Sequence, residues 1–213
     1  EAFAGRDPSR PILDLGGETM GTSWSIRFVA PSDFRTASVE ASIRNRLETI
    51  VSQMSHWQVE SAISRYNGSE PASWHPLPPD FAFVLDAAID VARRSDGAFD
   101  PTIGRIVAMR GYGPDPSART GDEGMIAAAL AAAGWRKVRR NGGNLLQPGG
   151  IALDFSGIAK GFAVDALTEE FIAHDIHHAL VEIGGELRGI GIRPDGDPWW
   201  VDLENPTGTE FPG

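Results

Sequence analysis

Cysteine is missing from the 213-residue sequence, and this absence excludes several kinds of site. Without thiols the chain has no disulfide framework, no thiolate metal centre and no cysteine nucleophile. A cysteine-free composition also suits an exported bacterial protein, which makes it a weak first indication of location.

Long hydrophobic runs and an excess of basic charge are missing too. No run of about 18 apolar residues occurs, so the sequence predicts no membrane-spanning helix. The chain has 19 Lys and Arg against 29 Asp and Glu, a formal net charge of −10. This balance disfavours a nucleic-acid partner, because phosphate backbones are bound through clustered cations. The longest basic cluster, residues 136–140, is interpreted as a solvated strand end.

A leader pattern of basic and then apolar residues is absent from the first residues, EAFAGRDPSRPILD. The chain begins with Glu1 rather than methionine, so we expect that a leader has been removed. The expected location is the periplasm or cell envelope, with a lipid anchor in the precursor as one form of export. A cytoplasmic location is the alternative.

Hydrophobic periodicity predicts helices and strands that are interleaved along the chain. The predicted helices are residues 36–55, a helix from the N-cap Asp80 to Gly97, 122–133 and 158–173; the predicted strands are 23–28, 151–155, 178–183, 187–192 and 199–203, with a hairpin of 135–139 and 145–146 around Asn141-Gly142-Gly143. Hairpins are frequent and regular βαβ units are absent, so the expected class is α+β with mixed or antiparallel sheets. No linker or repeat is visible, which favours a single domain over residues 1–213.

The stretch DFSGIAKGFAVD, residues 154–165, leads from a predicted strand into a helix. Lys160 falls in the first turn, where the positive end of the helix dipole repels a cation. Gly161 weakens the same turn by about 1 kcal/mol relative to alanine. A bound anion would offset both costs, since a helix start offers free N–H groups. The alternative is that Asp154 caps the helix and Lys160 is a solvated surface charge.

Other polar positions carry weaker signals. The pair Gly184-Gly185 is more typical of a turn than of a ligand contact. Asp165 and Glu169 are interpreted as helix surface. The histidines at 174, 177 and 178 have a spacing that fits no standard metal site.

Five stretches together carry a family resemblance. In chain order they are ETMGTSWSIRF, MSHWQVESAISRYN, GAFDPTIGRIV, LDFSGIAKGFAVD and LVEIGGELRGIG. With these motifs the sequence resembles the ApbE family, the FAD:protein FMN transferases, from about residue 15 to residue 206. The order and similar spacing of five motifs make chance agreement a poor explanation.

The resemblance implies a site for FAD and Mg²⁺. By position, the implied cofactor-binding residues are Met20 at the flavin, Trp57 stacked on the isoalloxazine ring, Ala98, Phe99 and Asp100 at the adenine and ribose, Asp154 hydrogen-bonded to the cofactor, Gly157, and Lys160 at the pyrophosphate. Gly157 matches the position whose backbone carbonyl coordinates the metal. The family's other metal ligands and its general base match no position up to residue 213, so we expect a C-terminal segment to be missing and leave the catalytic residues unknown.

Three functions follow from the resemblance. The first is Mg²⁺-dependent transfer of FMN from FAD to a threonine or serine of a target flavoprotein, with release of AMP. The second is a non-catalytic flavin carrier that binds FAD. The third is an FAD pyrophosphatase, in which water attacks and the products are FMN and AMP.

Overall fold

The computed structural model describes residues 7–30 and 34–202 of the chain. Its strands are β1 (Ile12–Thr19), β2 (Thr22–Val29), β3 (Ser73–Pro76), β4 (Arg140–Asn141), β5 (Asn144–Gln147), β6 (Ala179–Ile183) and β7 (Glu186–Ile190). Its helices are α1 (Thr36–Met54), α2 (Ala62–Asn67), α3 (Pro79–Arg94), α4 (Gly104–Met109), α5 (Glu123–Ala132) and α6 (Ala159–Ala173). The predicted α+β class is confirmed.

Two antiparallel sheets organise these elements. The larger has the order β1-β2-β6-β7, and the smaller has the order β3-β5-β4. Alternation in β2 buries Trp24, Ile26 and Phe28 on one face of the larger sheet, as the sequence pattern predicts. Helix α6 packs against the larger sheet, where the Phe28 and Phe171 rings meet edge to face with centroids 5.1 Å apart, and α1 packs against α6. Sheet, helices and the buried Leu145 of β5 share one hydrophobic core cluster.

Several predicted elements are confirmed almost to their ends. The helices α1, α5 and α6 and the strands β2, β6 and β7 lie within two residues of the expected bounds at each end. The α5 helix begins where Asp122 accepts hydrogen bonds from the Gly124 and Met125 amides. The Gly-Gly pair of residues 184–185 forms a turn, as expected.

The second helix begins differently from the prediction. Pro78 occupies the N-cap of α3, and Asp80 lies inside the first turn. Its carboxylate is bound to the Arg46 guanidinium of α1, so the acid joins two helices instead of capping one. The helix ends at Arg94, before Gly97.

Three predicted strands are wrong. Residues 135–137 form a 3₁₀ turn, so the hairpin around Gly142-Gly143 pairs β4 with β5. Residues 151–155 make a single bridge, between Ala152 and Ile103, and no ladder. Residues 199–202 are not a strand, and position 203 lies outside the described residues.

Strand β1 and helix α4 are elements that the sequence patterns missed. Two glycines in the middle of β1, Gly16 and Gly17, are residues that strands usually avoid. The basic cluster at residues 136–140 is solvent-exposed as expected, although it lies on a 3₁₀ turn and a strand start. Along residues 7–30 and 34–202, the helices are all too short or too polar to cross a membrane.

Candidate functional site

Two tight turns lie side by side at one end of the larger sheet. The β1–β2 turn is Met20-Gly21 and the β6–β7 turn is Gly184-Gly185, and all four residues have positive φ. The turns are joined where the Gly184 amide donates to the Ser23 carbonyl at 3.1 Å. Met20, with φ +50°, is a non-glycine residue in the left-handed region, and such strain concentrates at functional sites.

Helix α6 begins beside these turns and directs Lys160 at them. The Lys160 ammonium donates to the Gly184 carbonyl oxygen at 3.0 Å and lies 2.8 Å from Glu186 Oε2. Lys160 is therefore in the first turn as predicted. It is partly exposed, and it already has two partners within the chain. The carboxylate and carbonyl already offset part of its cost at the helix start.

An open cleft of about 600 Å³ lies between this corner and the end of α1. Its walls include three of the predicted cofactor residues, Met20, Trp57 and Lys160. The other lining residues are Gly21, Ile50, Val51, Met54, Ser55, His56, Gln58, Phe155, Ser156 and Ala159. Most of the walls are apolar and Lys160 supplies a cation, a composition typical of a small-molecule site.

Trp57 lines this cleft and is largely exposed to solvent. Its side chain is 64% exposed, and its ring centroid lies 5.7 Å from that of His56. An exposed indole is unusual for a core residue but suits a surface on which a planar ligand stacks.

Asp154 lines a second and smaller cleft, of about 260 Å³. The two clefts share His56 and lie on either side of the turn that leads into α6. Asp154 Oδ1 accepts a hydrogen bond from the Ser156 amide at 2.7 Å, which closes a local turn two residues long. Asp154 is therefore not the N-cap of α6, a position held by Ile158.

The loop at residues 98–102 packs against the same turn. A Cβ on Gly157 would come within 3.3 Å of the Phe99 ring, and the Asp154 amide donates to the Pro101 carbonyl at 2.8 Å. Ala98 is exposed, so the loop leaves one predicted residue open to a ligand.

Asp100 stabilises the loop through hydrogen bonds. Its Oδ1 accepts from the Thr102 amide and hydroxyl at 2.9 and 2.6 Å, and its Oδ2 accepts from the Trp135 amide at 3.0 Å. Both carboxylate oxygens have partners within the chain, so this side chain holds the loop in place. The sequence did not predict this structural role.

The motif SAISRYN, residues 61–67, also has a structural role. Ser61 accepts from the Ser64 amide as the N-cap of α2. Asn67 accepts from the Leu153 amide at 2.7 Å and donates to the Leu153 carbonyl at 2.8 Å. The amide group thus replaces a strand partner and fixes the segment that leads to Asp154.

The predicted metal ligand, Gly157, stays a prediction. Gly157 is exposed at the turn, and its carbonyl is the kind of oxygen that Mg²⁺ accepts. However, no cluster of three or more His, Asp or Glu side chains suited to a metal is found in the described ranges.

Several cleft residues were missed by sequence reasoning. Ile50 and Met54 lie on the buried face of α1 and belong to the hydrophobic core as well as to the cleft wall. Ser55 and His56 come directly after that helix, next to Trp57. The signal available in the sequence was a polar pair that follows a helix end and precedes a tryptophan.

The fold and the cleft define an α+β protein with an open cleft at the corner of two hairpin turns and a helix start. A family model described as "ApbE family" matches residues 20–212, and the chain belongs to the ApbE family.

Curated relatives carry the name FAD:protein FMN transferase. The chain is 30% identical to the one from Salmonella typhimurium over 209 residues, 95% of this chain and 59% of the relative. It is 31% identical to the one from Haemophilus influenzae over 208 residues, 93% of this chain and 60% of the relative. The chain thus spans about 60% of the length of the curated relatives it matches.

Solved structures agree with this assignment. The flavinyl transferase ApbE from Pseudomonas stutzeri, in its apo form, superposes with a TM-score of 0.86 at 29% identity, covering 91% of this chain and 66% of that one. The flavin transferase ApbE from Vibrio cholerae gives a TM-score of 0.84 at 30% identity, covering 92% and 65%.

Proposed function

We propose that the chain binds FAD as part of an enzyme that transfers FMN from FAD to a protein. The observation that carries the proposal is the larger cleft, where Met20, Trp57 and Lys160 line one space in a chain of the ApbE family. The names of the curated relatives support the same reaction.

The chemistry of the cleft suits the two halves of the ligand. An isoalloxazine ring is flat and largely apolar, and Trp57 and Met20 offer an aromatic face and a polarisable sulfur. A pyrophosphate carries negative charge, and Lys160 is the cation that lines the cleft. The adenosine would then extend past the turn at residues 154–157 toward Ala98 and Phe99.

The proposed transfer is a displacement at the FMN phosphorus. A threonine or serine hydroxyl of the target protein forms the new P–O bond, the bond between that phosphorus and the bridging oxygen breaks, and AMP leaves. The hydroxyl proton goes to a base that we do not assign in this chain. Lys160 would bind and orient the phosphates, which brings the reacting atoms into line.

Magnesium is proposed from the family resemblance. When bound, it would neutralise charge on the phosphates. Gly157 is the only ligand that we assign in this chain, through its carbonyl, and no step above depends on the metal.

The test is an incubation of the protein with FAD and Mg²⁺ in which AMP is followed by chromatography, with and without an acceptor flavoprotein. Covalent flavin on the acceptor, together with AMP, supports the transferase. AMP and free FMN without an acceptor would indicate the pyrophosphatase. Binding of FAD without AMP would indicate the carrier. Absence of FAD binding would contradict the proposal.

Export to the periplasm or cell envelope stays a prediction, as does a lipid anchor. Fractionation of the host cells, with an antibody against this chain, tests the location.

A further inference from the structure

Glu186 is an acidic residue placed directly beside the cation of the cleft. It is the first residue of β7, immediately after the Gly184-Gly185 turn. Its Oε2 atom is shielded from solvent and lies 2.8 Å from the Lys160 nitrogen. No aligned hydrogen bond reaches this oxygen within the described part of the chain, so the nearby ammonium charge is its compensation there.

Lys160 is therefore held at two points. Its ammonium has three N–H donors; one donates to the Gly184 carbonyl, and the charge is drawn to Glu186. Since Lys160 also lines the large cleft, the remaining donor capacity is available to a ligand there.

We infer that Glu186 is a positioning residue, which holds the Lys160 ammonium where it can meet the phosphates of a dinucleotide ligand. The inference rests on the proposed function for the identity of the ligand. It adds a residue to which the sequence resemblance assigned no role.

The physical reason is the flexibility of a lysine side chain. Four rotatable bonds allow the ammonium many positions, and fixing it costs conformational entropy. A carboxylate and a carbonyl that fix it before the ligand arrives reduce this cost at the moment of binding. The tight Gly184-Gly185 turn places the Gly184 carbonyl and the Glu186 carboxylate beside the same Lys160 ammonium.

Two other roles for Glu186 give different results. If the carboxylate mainly repelled the phosphates, its neutral counterpart Glu186→Gln would bind FAD more tightly than the wild type. If Glu186 only stabilised the turn, Glu186→Ala would weaken every ligand of the cleft alike. Positioning instead predicts a loss confined to phosphate-bearing ligands and largely restored in Glu186→Gln, whose amide oxygen still attracts the Lys160 ammonium.

The chain offers a direct measurement of the held lysine, since it contains only two, Lys137 and Lys160. Lys137 is an internal reference, because its ammonium donates to the Ala131 and Ala132 carbonyls at 2.6 and 2.9 Å, far along the chain from Glu186. Labelling with an amine reagent, followed by peptide mass spectrometry, gives the rate at Lys160 relative to Lys137. We expect Glu186→Ala to raise this ratio several-fold and Glu186→Gln to change it little.

The binding arm compares FAD with riboflavin, which has no phosphate, by flavin fluorescence. Glu186→Ala should raise the Kd for FAD about tenfold, the scale of one misplaced charge-assisted hydrogen bond, and leave riboflavin unchanged. The matched control is Glu182→Ala: Glu182 accepts from the Gly185 amide at 2.7 Å in the same turn but does not contact Lys160. It should leave the labelling ratio and the preference for FAD over riboflavin unchanged.

The outcomes separate the two proposals. An unchanged labelling ratio in Glu186→Ala would overturn the positioning role, even if the wild type binds FAD. Equal losses for FAD and riboflavin, or tighter FAD binding by Glu186→Gln, would also overturn it. A wild type that does not bind FAD would overturn the proposed function and the phosphate assignment with it, whatever the labelling shows.

Discussion

Single side chains in this protein have roles that depend on what the fold places next to them. Both lysines are held by backbone carbonyls, but Lys160 also faces a carboxylate and lines a cleft, whereas Lys137 is exposed near the end of α5. From the sequence, Lys160 was expected either to meet a bound anion or to be a solvated surface charge. The ion pair changes that expectation.

Lys160→Ala should lower the free energy of unfolding by about 1 kcal/mol or less, because the pair with Glu186 is partly exposed. It should also weaken FAD binding by about 1.5–3 kcal/mol, the contribution of a charged hydrogen bond. Urea unfolding and a flavin fluorescence titration measure the two effects. Lys137→Ala is the control and should leave FAD affinity unchanged. Wild-type FAD affinity in Lys160→Ala would show that the phosphates lie elsewhere.

Trp57→Ala should weaken FAD binding by about 1 kcal/mol and leave the unfolding transition nearly unchanged. The side chain is 64% exposed, so its loss removes little core packing but removes the stacking face. Quenching of flavin fluorescence provides the affinity. Trp200→Ala removes another exposed indole, one that is not part of the cleft, and serves as the comparison. Equal affinities of Trp57→Ala and Trp200→Ala would count against the placement of the ring.

At the scale of elements, residues 151–155 have the alternating burial of a strand but do not form one. Its alternate residues Ile151, Leu153 and Phe155 are buried, as in a strand. Its polar backbone groups, however, are paired with the Asn67 side chain and with the Pro101 carbonyl. The Gly104 position shows how close these segments are, because a Cβ there would lie 2.9 Å from the Ala152 carbonyl oxygen.

Asn67→Ala should destabilise the protein by about 2 kcal/mol, since it leaves an amide and a carbonyl of the buried Leu153 without partners. Asn144→Ala, at an exposed asparagine of β5, should cost much less. Urea unfolding of both variants tests the difference. Equal destabilisation would mean that Asn67 does not hold the segment.

At the scale of the whole molecule, the two hairpin turns and the start of α6 are brought to one corner by the order β1-β2-β6-β7. Another hydrogen bond lies at the opposite end of β6, next to its first residue. His178 Nδ1 accepts a hydrogen bond from the Ile192 amide at 2.9 Å, which requires the neutral imidazole with a lone pair at that nitrogen. Burial, followed by the nearby His177 and Arg10, lowers the pKa of His178 below its ordinary value of 6.5.

This lowered pKa makes stability depend on pH. Because the folded state favours neutral His178, its contribution is present above the unfolded pKa of about 6.5 and is lost as the pH falls through that value toward the folded pKa. The free energy of unfolding should therefore decrease between pH 7.5 and pH 5.5, and it should decrease less in His178→Gln. Urea unfolding at several pH values measures both slopes. Identical slopes would exclude His178 as a source of the pH dependence.

The sequence alone determined the class of the fold, the family and the bounds of some periodic elements. Period-2 and period-3.6 patterns are local, so β2, α1 and α6 could be predicted from neighbouring residues, and the motifs could be matched one by one. Met20, Trp57 and Lys160 were also selected from the sequence, and the fold brings these three to one cleft.

Only the tertiary structure decided which polar groups are paired and with what. Asp80 with Arg46, Asn67 with Leu153 and Lys160 with Glu186 are contacts between residues 26 to 86 positions apart, which no local pattern contains. The same reason explains why Asp100 is occupied within its loop by Trp135, and why Asp154 and Lys160 line separate clefts. A hydrogen-bond partner is set by distance in space, and the chain brings distant residues together only after its hydrophobic faces have packed.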